Sequence, residues 1–362
     1  MFILVSFILT FVLLLWLKKV AVKVGLVDKP GGRKKHKNTV PLVGGIAIFT
    51  AFTLLSFTAT PWWEHKMSFI ALSILLYMGV IDDIKEISAK FKFVVHFIVA
   101  SMLVADGTVL VSMGDILGFG ETSFGWFAPV FTVLCIVYLI NAINMIDGVD
   151  GLSGGIGLIV GIFLLSASLM KGVPVSAELR FLIGALLAFL IFNYRHPWRE
   201  RASVFMGDAG TMCLGFVLAW LAIDLSQDTS SLYGAVLEPI SIAWLLALPI
   251  WDAFGMLTAR ARHGKNPFEP DRNHFHHHFL EAGFNQSQTT ALILLYCIVL
   301  CSFGVFAPSW GMSIWALTYI WIVMWLVHAQ LSYRPEKFIC LLKCLRLKCL
   351  RQIGQKRQKS DS

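Results

Sequence analysis

The hydrophobic positions fall into repeated uninterrupted runs of about 15 to 21 residues, with polar residues gathered in the gaps between them. The pattern predicts about eleven membrane-crossing helices, at approximately 1–17, 42–60, 67–81, 91–105, 126–146, 156–170, 179–194, 208–223, 238–256, 289–306 and 312–331. Several of these runs are short for a bilayer. Flanking residues must complete them, or the helices must pack against protein instead of lipid.

Composition agrees with the pattern. Of 362 residues, 57% are hydrophobic and 14% charged, against roughly 25% charged in a soluble domain. The expected fold is therefore an all-α polytopic membrane protein, with a transmembrane domain over 1–331 and a basic tail over 332–362. The tail alternates Phe338, Ile339, Leu341, Leu342, Leu345 and Leu347 with Lys337, Lys343, Arg346 and Lys348. That pattern suits an interfacial amphipathic helix; a solvated basic tail serving only orientation is the other reading. Phe2–Leu17 reads as a first span, because no small-residue cleavage site follows it before Lys18. The seven cysteines show neither a disulfide framework nor zinc spacing.

The net charge of +8 reports topology. Segments 18–41, 82–92, 195–207, 257–288 and 332–362 hold 27 of the 30 Lys and Arg residues, leaving Lys66, Lys171 and Arg180 elsewhere. The N-terminus is expected on the outer side of the membrane and the C-terminus in the cytoplasm. No nucleic-acid partner is expected, and the sequence carries no sign of oligomeric state.

Four polar clusters lie on the expected cytoplasmic side. Asp82, Asp83 and Glu86 follow an apolar run, where carboxylates need a cation or a function unless the helix end is simply solvated. Asn141, Asn144 and Asp147 recur every three residues along an apolar helix, and two Asp-Gly pairs, Asp147-Gly148 and Asp150-Gly151, then break it. Asp208 sits between Gly207 and Gly210 at a helix start, where a helix cap is the plainer explanation. The longest such loop holds Asp252 near its entry, then Arg272, His274, His276, His277 and His278. Imidazolium and guanidinium suit phosphate oxygens; a transition-metal site is the rival, against which stands the lack of a nearby cysteine. The basic loop from Gly25 to Pro41, with Arg33, Lys34, Lys35 and His36, either steers an anionic headgroup or nucleotide or anchors topology.

Acidic residues for a divalent cation and basic residues for phosphate, gathered on one side, make a constellation for phosphoryl transfer. Oxygen-rich ligation favours Mg²⁺, with Mn²⁺ as a substitute. A polytopic transporter would instead place charges mid-span on facing helices, whereas most spans here have uncharged centres.

The motifs resemble those of the polyprenyl-phosphate N-acetylhexosamine-1-phosphate transferases over Gly25 to Phe284. The aspartate pair falls on Asp82 and Asp83, with Glu86 where the family has a further aspartate. The NxxNxxDGxDGL run matches from Asn141 to Leu152, and the Phe-Met-Gly-Asp motif falls on Phe205 to Asp208, followed by Thr211 where a serine is common. The RxHxHH element of the GlcNAc-transferring branch falls on Arg272, His274, His276 and His277, with His278 in addition.

The resemblance implies an eleven-helix bacterial inner-membrane enzyme, for which the outer side, and so the N-terminus, is periplasmic. It would use UDP-GlcNAc and undecaprenyl phosphate to give the lipid diphosphate sugar and UMP, starting O-antigen or enterobacterial common antigen synthesis. It implies catalytic roles for Asp82, Asp83, Asp147, Asp150 and Asp208. Substrate binding would fall to Asn141, Asn144, Asn193, Phe205, Arg272, His274, His276 and His277. Asp208 is the expected metal ligand, with Asp82 and Asp83 as further candidates. A sister transferase taking another UDP-N-acetylhexosamine, or phospho-N-acetylmuramoyl-pentapeptide, is the alternative within the class. Single displacement and a route through an aspartyl-phosphate both remain open.

Overall fold

A computed structural model describes residues 1–28, 39–61, 63–196, 199, 201–227, 234–262, 264 and 274–360, with side chains described as far as 347. The chain is an all-α polytopic membrane protein. Its helices are α1 (Phe2–Val24), α2 (Gly44–Ala59), α3 (Lys66–Lys85), α4 (Ala89–Ala105), α5 (Ala128–Ile146), α6 (Leu152–Met170) and α7 (Ala177–Asn193). They continue with α8 (Gly207–Ser226), α9 (Pro239–Leu245), α10 (Ala247–Arg262), α11 (Phe275–Glu281), α12 (Gln286–Phe306), α13 (Ile314–Tyr333) and α14 (Pro335–Ser360). Among the described residues, 7 helices are long and apolar enough to cross a membrane, or up to 8 if the bent pair α9 and α10 forms one span. Each of the eleven predicted segments coincides with a helix or with that pair.

Local chemistry sets the helix ends. Ser88 and Ser176 accept the backbone N–H groups of Phe91 and Leu179, capping α4 and α7. Asn285 and Gln288 form a reciprocal capping box at α12.

Two differences from the expected pattern have clear causes. Helix α1 runs to Val24 and carries Lys18, Lys19 and Lys23 on its last turns. Backbone bonding continues there because lysine stems lie along apolar surface while their ammonium groups reach water. The predicted span at 238–256 is broken, with a bend of 74° between α9 and α10. Pro249 has no N–H to give the Leu245 carbonyl, and its ring crowds that carbonyl. The Cys301 thiol reaches the same oxygen at 3.6 Å instead.

Helix α8 is almost wholly buried and packs against α2, α3, α5 and α6. Glycines bring the backbones together: a methyl on Gly45 of α2 would lie 2.1 Å from the Gly210 Cα, and one on Gly79 of α3 would lie 2.2 Å from the Ala209 Cα. Close approach of this kind replaces the hydrophobic drive that helices lack in lipid. It also sets the end of α3, bearing Asp82 and Asp83, beside the start of α8, bearing Asp208. A short antiparallel pair, β1 (Val27–Asp28) with β2 (Val40–Pro41), leads into α2. The following backbone is tied down by Phe205 N–H to the Pro41 carbonyl and Gly44 N–H to the Phe205 carbonyl, both at 2.9 Å.

Candidate active site

The polar clusters converge where α3, α5 and α7 end and where α4, α6 and α8 begin. The Asp83 carboxylate accepts the backbone N–H groups of Asp208 at 2.8 Å and Ala209 at 3.3 Å. It therefore supplies the N-terminal cap that α8 lacks from its own sequence. Gly207, at φ +74°, leaves room for it: a Cβ there would sit 2.5 Å from Asp83 Oδ2.

Asp82 points the other way. It is buried, accepts the Ile87 N–H at 2.7 Å, and pairs with the Lys92 ammonium of α4. The same ammonium stands 3.6 Å from Asp208 Oδ2. Asn144 donates to Asp208 Oδ1 at 3.0 Å and to Thr211 Oγ1 at 2.8 Å, which fixes the carboxylate from its other side. Asp208 is thus held by three helices while its side chain stays 43% exposed.

Asp147 ends α5. It is open to water but set in a cleft, and Ser153 donates to it at 2.7 Å. Burial by the surrounding protein, followed by the charges of Asp208 and Asp150 and against the Ser153 hydrogen bond, pushes its carboxyl up to about 6. Asp150 accepts Arg195 Nε at 2.5 Å and the Ala202 N–H at 3.2 Å, joining the α5–α6 turn to the segment before α8. Asn193 is buried and used from both ends: its oxygen accepts the Gly151 N–H at 2.6 Å, and its nitrogen donates to the Val204 carbonyl at 2.8 Å. Asn141 donates to the Val137 carbonyl at 2.7 Å and lies 3.2 Å from His96 Nδ1. Phe205 places its backbone against the β2–α2 segment, as described above.

The histidine helix α11 starts from Asp252 of α10. That buried carboxylate accepts the Phe275 N–H at 2.9 Å and bonds His274 Nδ1 at 3.0 Å. His274 and His276 stack with ring planes 5° apart and centroids 5.7 Å apart. His276 is buried, and among the described residues neither of its ring nitrogens has a hydrogen-bond partner. Its Nε2 abuts the α5–α6 turn, since a Cβ on Gly148 would lie 2.1 Å away. Burial, reinforced by the charge of His277, holds His276 down to about 3. It is consequently a neutral imidazole, not the imidazolium its motif suggested. His277 packs beside it at 4.2 Å between centroids. Arg272 and the basic loop residues Arg33, Lys34, Lys35 and His36 lie outside the described residues.

The structure thus joins Asp83, Asp208 and Asn144 directly, brings Asp82 in through Lys92, and brings His276 to the Asp147–Asp150 turn. Asn193 spends both its polar side-chain atoms inside the protein, and Asn141 and Asp150 each spend one, Nδ2 and Oδ2. Sequence reasoning missed Lys92, Ser153 and Arg195 as parts of the site. Lys92 counted only toward topology, although a lysine at the start of a span beside a buried aspartate pair signals a compensating charge.

Among the described residues, no group of three or more His, Cys, Asp or Glu side chains forms a metal cage. An exposed Asp208 carboxylate beside a carboxamide instead suits an ion that shares its coordination with a substrate's phosphates, the usual manner of Mg²⁺.

Comparison with known proteins places this arrangement. The sequence profile of glycosyl transferase family 4 matches residues 65–226, which include the aspartate pair, the Asn141–Leu152 run and Asp208. The chain is 32% identical to the undecaprenyl-phosphate alpha-N-acetylglucosaminyl 1-phosphate transferase of Escherichia coli O157:H7, over 96% of this chain and 95% of the relative. Proteins of the same name from Salmonella typhi and Haemophilus influenzae are each 32% identical, over 85% of this chain and 85% of the relative and over 86% and 88% respectively. With its acidic cleft at the ends of apolar helices and this similarity over nearly all its length, the chain belongs to glycosyl transferase family 4 and is an enzyme.

Proposed function

We propose that this protein transfers GlcNAc-1-phosphate from UDP-GlcNAc to undecaprenyl phosphate, giving undecaprenyl-diphospho-GlcNAc and UMP. The work takes place at the cytoplasmic face of a bacterial inner membrane, with the N-terminus periplasmic, and supplies the first lipid-linked sugar for a surface polysaccharide. The observation that carries this reading is the juncture of Asp83, Asp208, Asn144 and Lys92 at the end of membrane helices, in a chain aligned almost end to end with transferases of that name. A soluble nucleotide sugar reaches such a cleft from water, and a lipid phosphate reaches it from the bilayer.

In the proposed reaction an oxygen of undecaprenyl phosphate attacks the sugar-linked phosphorus of UDP-GlcNAc in line. The bond from that phosphorus to the bridging oxygen breaks, and UMP leaves with that oxygen. Asp208 would hold Mg²⁺, or Mn²⁺ in its place, and the bound cation would supply charge to neutralise the diphosphate. Asp83 and Asn144 orient Asp208, and Lys92 keeps positive charge between Asp82 and Asp208. Asp147 lines the cleft beside them, while His276 and the rest of α11 close its far side. Little covalent work is asked of the protein, in keeping with phosphoryl transfer driven by positioning and charge neutralisation.

UMP release by the purified protein, measured over a panel of UDP-sugars with undecaprenyl phosphate, tests the proposal. UDP-GlcNAc is the expected donor, and Asp208→Asn is expected to insert normally and lose Mg²⁺-dependent turnover. Turnover of UDP-MurNAc-pentapeptide without turnover of UDP-GlcNAc would overturn the assignment.

A further inference from the structure

Helix α14 begins at Pro335, and Arg334 alone links it to the end of α13, which is long and apolar enough to cross the membrane. So short a link keeps the first turns of α14 at the membrane interface. Two of its faces are apolar, and they point in different directions.

The inner face lies on the histidine helix. Phe338 stacks on Phe275 with centroids 5.6 Å apart and planes 11° apart, and meets Phe279 and His278 edge-on, each at 5.9 Å. Ile339 and Leu342 are buried, and the Arg346 guanidinium lies over the Phe284 ring at 5.9 Å. Arg346 also passes over Gly283, where a Cβ would come within 2.3 Å of Nη1. Residues 338, 342 and 346 recur every four positions, so one stripe of α14 covers α11 and the turn after it. On its other sides α11 meets Asp252 of α10, Tyr296 of α12 and His328 of α13 through Phe275. His276 then projects to Gly148.

The outer face carries Leu341 and Leu345, one turn apart and 55% and 48% exposed, with Lys337 and Lys343 on the same helix. The sequence continues basic through Lys348, Arg351, Lys356, Arg357 and Lys359. Exposed leucines flanked by lysines, held at an interface by a one-residue link, fit an anionic lipid surface: the leucines enter the headgroup boundary and the ammonium groups meet lipid phosphates.

We propose that α14 is a lipid-bound strap that positions the histidine helix: its inner face holds α11 against the α5–α6 turn, and its outer face takes its own place from anionic lipid. Phe338 and Arg346 are then positioning residues. Only the kinetic consequence rests on the function proposed above, since α11 borders the cleft that would hold the nucleotide sugar.

Amide hydrogen exchange across residues 274–284 tests the strap in the full-length protein in nanodiscs of phosphatidylglycerol or phosphatidylcholine. Exchange is expected to be slower in phosphatidylglycerol. Phe338→Ala is expected to speed it about tenfold or more in both lipids, and Phe338→Leu, which keeps apolar volume, to restore most of the protection. Leu341→Glu with Leu345→Glu is expected to bring the phosphatidylglycerol value to that of phosphatidylcholine. Residues 128–146 of α5 should be unmoved throughout, which separates a lost strap from a lost fold. In parallel, Phe338→Ala is expected to raise KM for UDP-GlcNAc with a smaller change in kcat. Equal exchange at 274–284 in every variant, or no difference between the lipids, would sink the proposal. A wild-type protein that shows the exchange pattern but does not use UDP-GlcNAc would leave the strap standing and remove the proposed donor.

Discussion

The carboxylate of Asp83 holds the backbone N–H of Asp208 at 2.8 Å across 125 positions of sequence, so one acidic residue aims another. Capping needs an acceptor but no charge, and this separates it from proton transfer. Asp83→Asn keeps an acceptor oxygen and should retain measurable turnover, while Asp83→Ala should lose turnover and about 1 to 2 kcal/mol of stability through the missing cap. Turnover and melting of the two variants in detergent decide the matter. If the asparagine variant is as inactive as the alanine variant yet equally stable to wild type, Asp83 acts as a base and not as a cap.

Lys92 stands between Asp82 and Asp208 and is itself a quarter exposed. Lys92→Gln leaves the buried Asp82 unpaired and should cost about 2 to 3 kcal/mol, below the range for a fully buried pair because water still reaches Lys92. With the ammonium gone, the site is more negative. Half-saturation by Mg²⁺ should therefore move to lower concentration while kcat falls, and a titration of turnover against Mg²⁺ gives both numbers. An unchanged or weakened Mg²⁺ requirement would show that the ammonium does not share the cation's field.

The membrane fold was legible because burial in lipid demands long apolar runs with backbone bonding satisfied inside each helix. The eleven predicted segments all coincide with helical structure. The break at Leu246 was not seen, although Pro249 was there to signal it, because an apolar run reads as continuous whatever its direction. Within the site, the residue types were legible and their partners were not. Asp82 and Asp83 are adjacent in sequence yet turn to Lys92 and to α8, a division set by the glycine-mediated contact of α3 with α8. Lys92 looked like a topology signal because its partner is contributed by another helix. The small sheet and the Asp252–His274 contact depend on tertiary approach that no local pattern encodes.

Asp147 titrates in the folded protein at about 6, above its ordinary 3.8. Between those values the folded state binds more protons than the unfolded chain, so the group's contribution falls as pH rises through the window and is restored as pH is lowered. Asp147→Asn removes this dependence. The variant should melt at a higher temperature than wild type at about pH 8, and the gap should narrow toward about pH 5. A gap independent of pH, measured by thermal melts in matched detergent, would contradict the raised value.

Asn193 bridges the Gly151 N–H and the Val204 carbonyl. Asn193→Asp keeps the first bond and sets a carboxylate oxygen against the carbonyl. It should cost about 1 to 3 kcal/mol, with turnover falling because the segment carrying Phe205 and Asp208 loses its brace. If stability is unchanged and only KM for the donor rises, Asn193 touches substrate.

The contact of His276 with Gly148 joins parts of the chain that are made at different times. Once α8 has left the ribosome, Asp82, Asp83, Asp147 and Asp208 can all take their places, yet every residue of α11 is still to be synthesised. A nascent chain halted after Ser226 would hold an acidic cleft with one wall missing. The cleft is thus completed only at a late step of membrane insertion, when α11 reaches the α5–α6 turn.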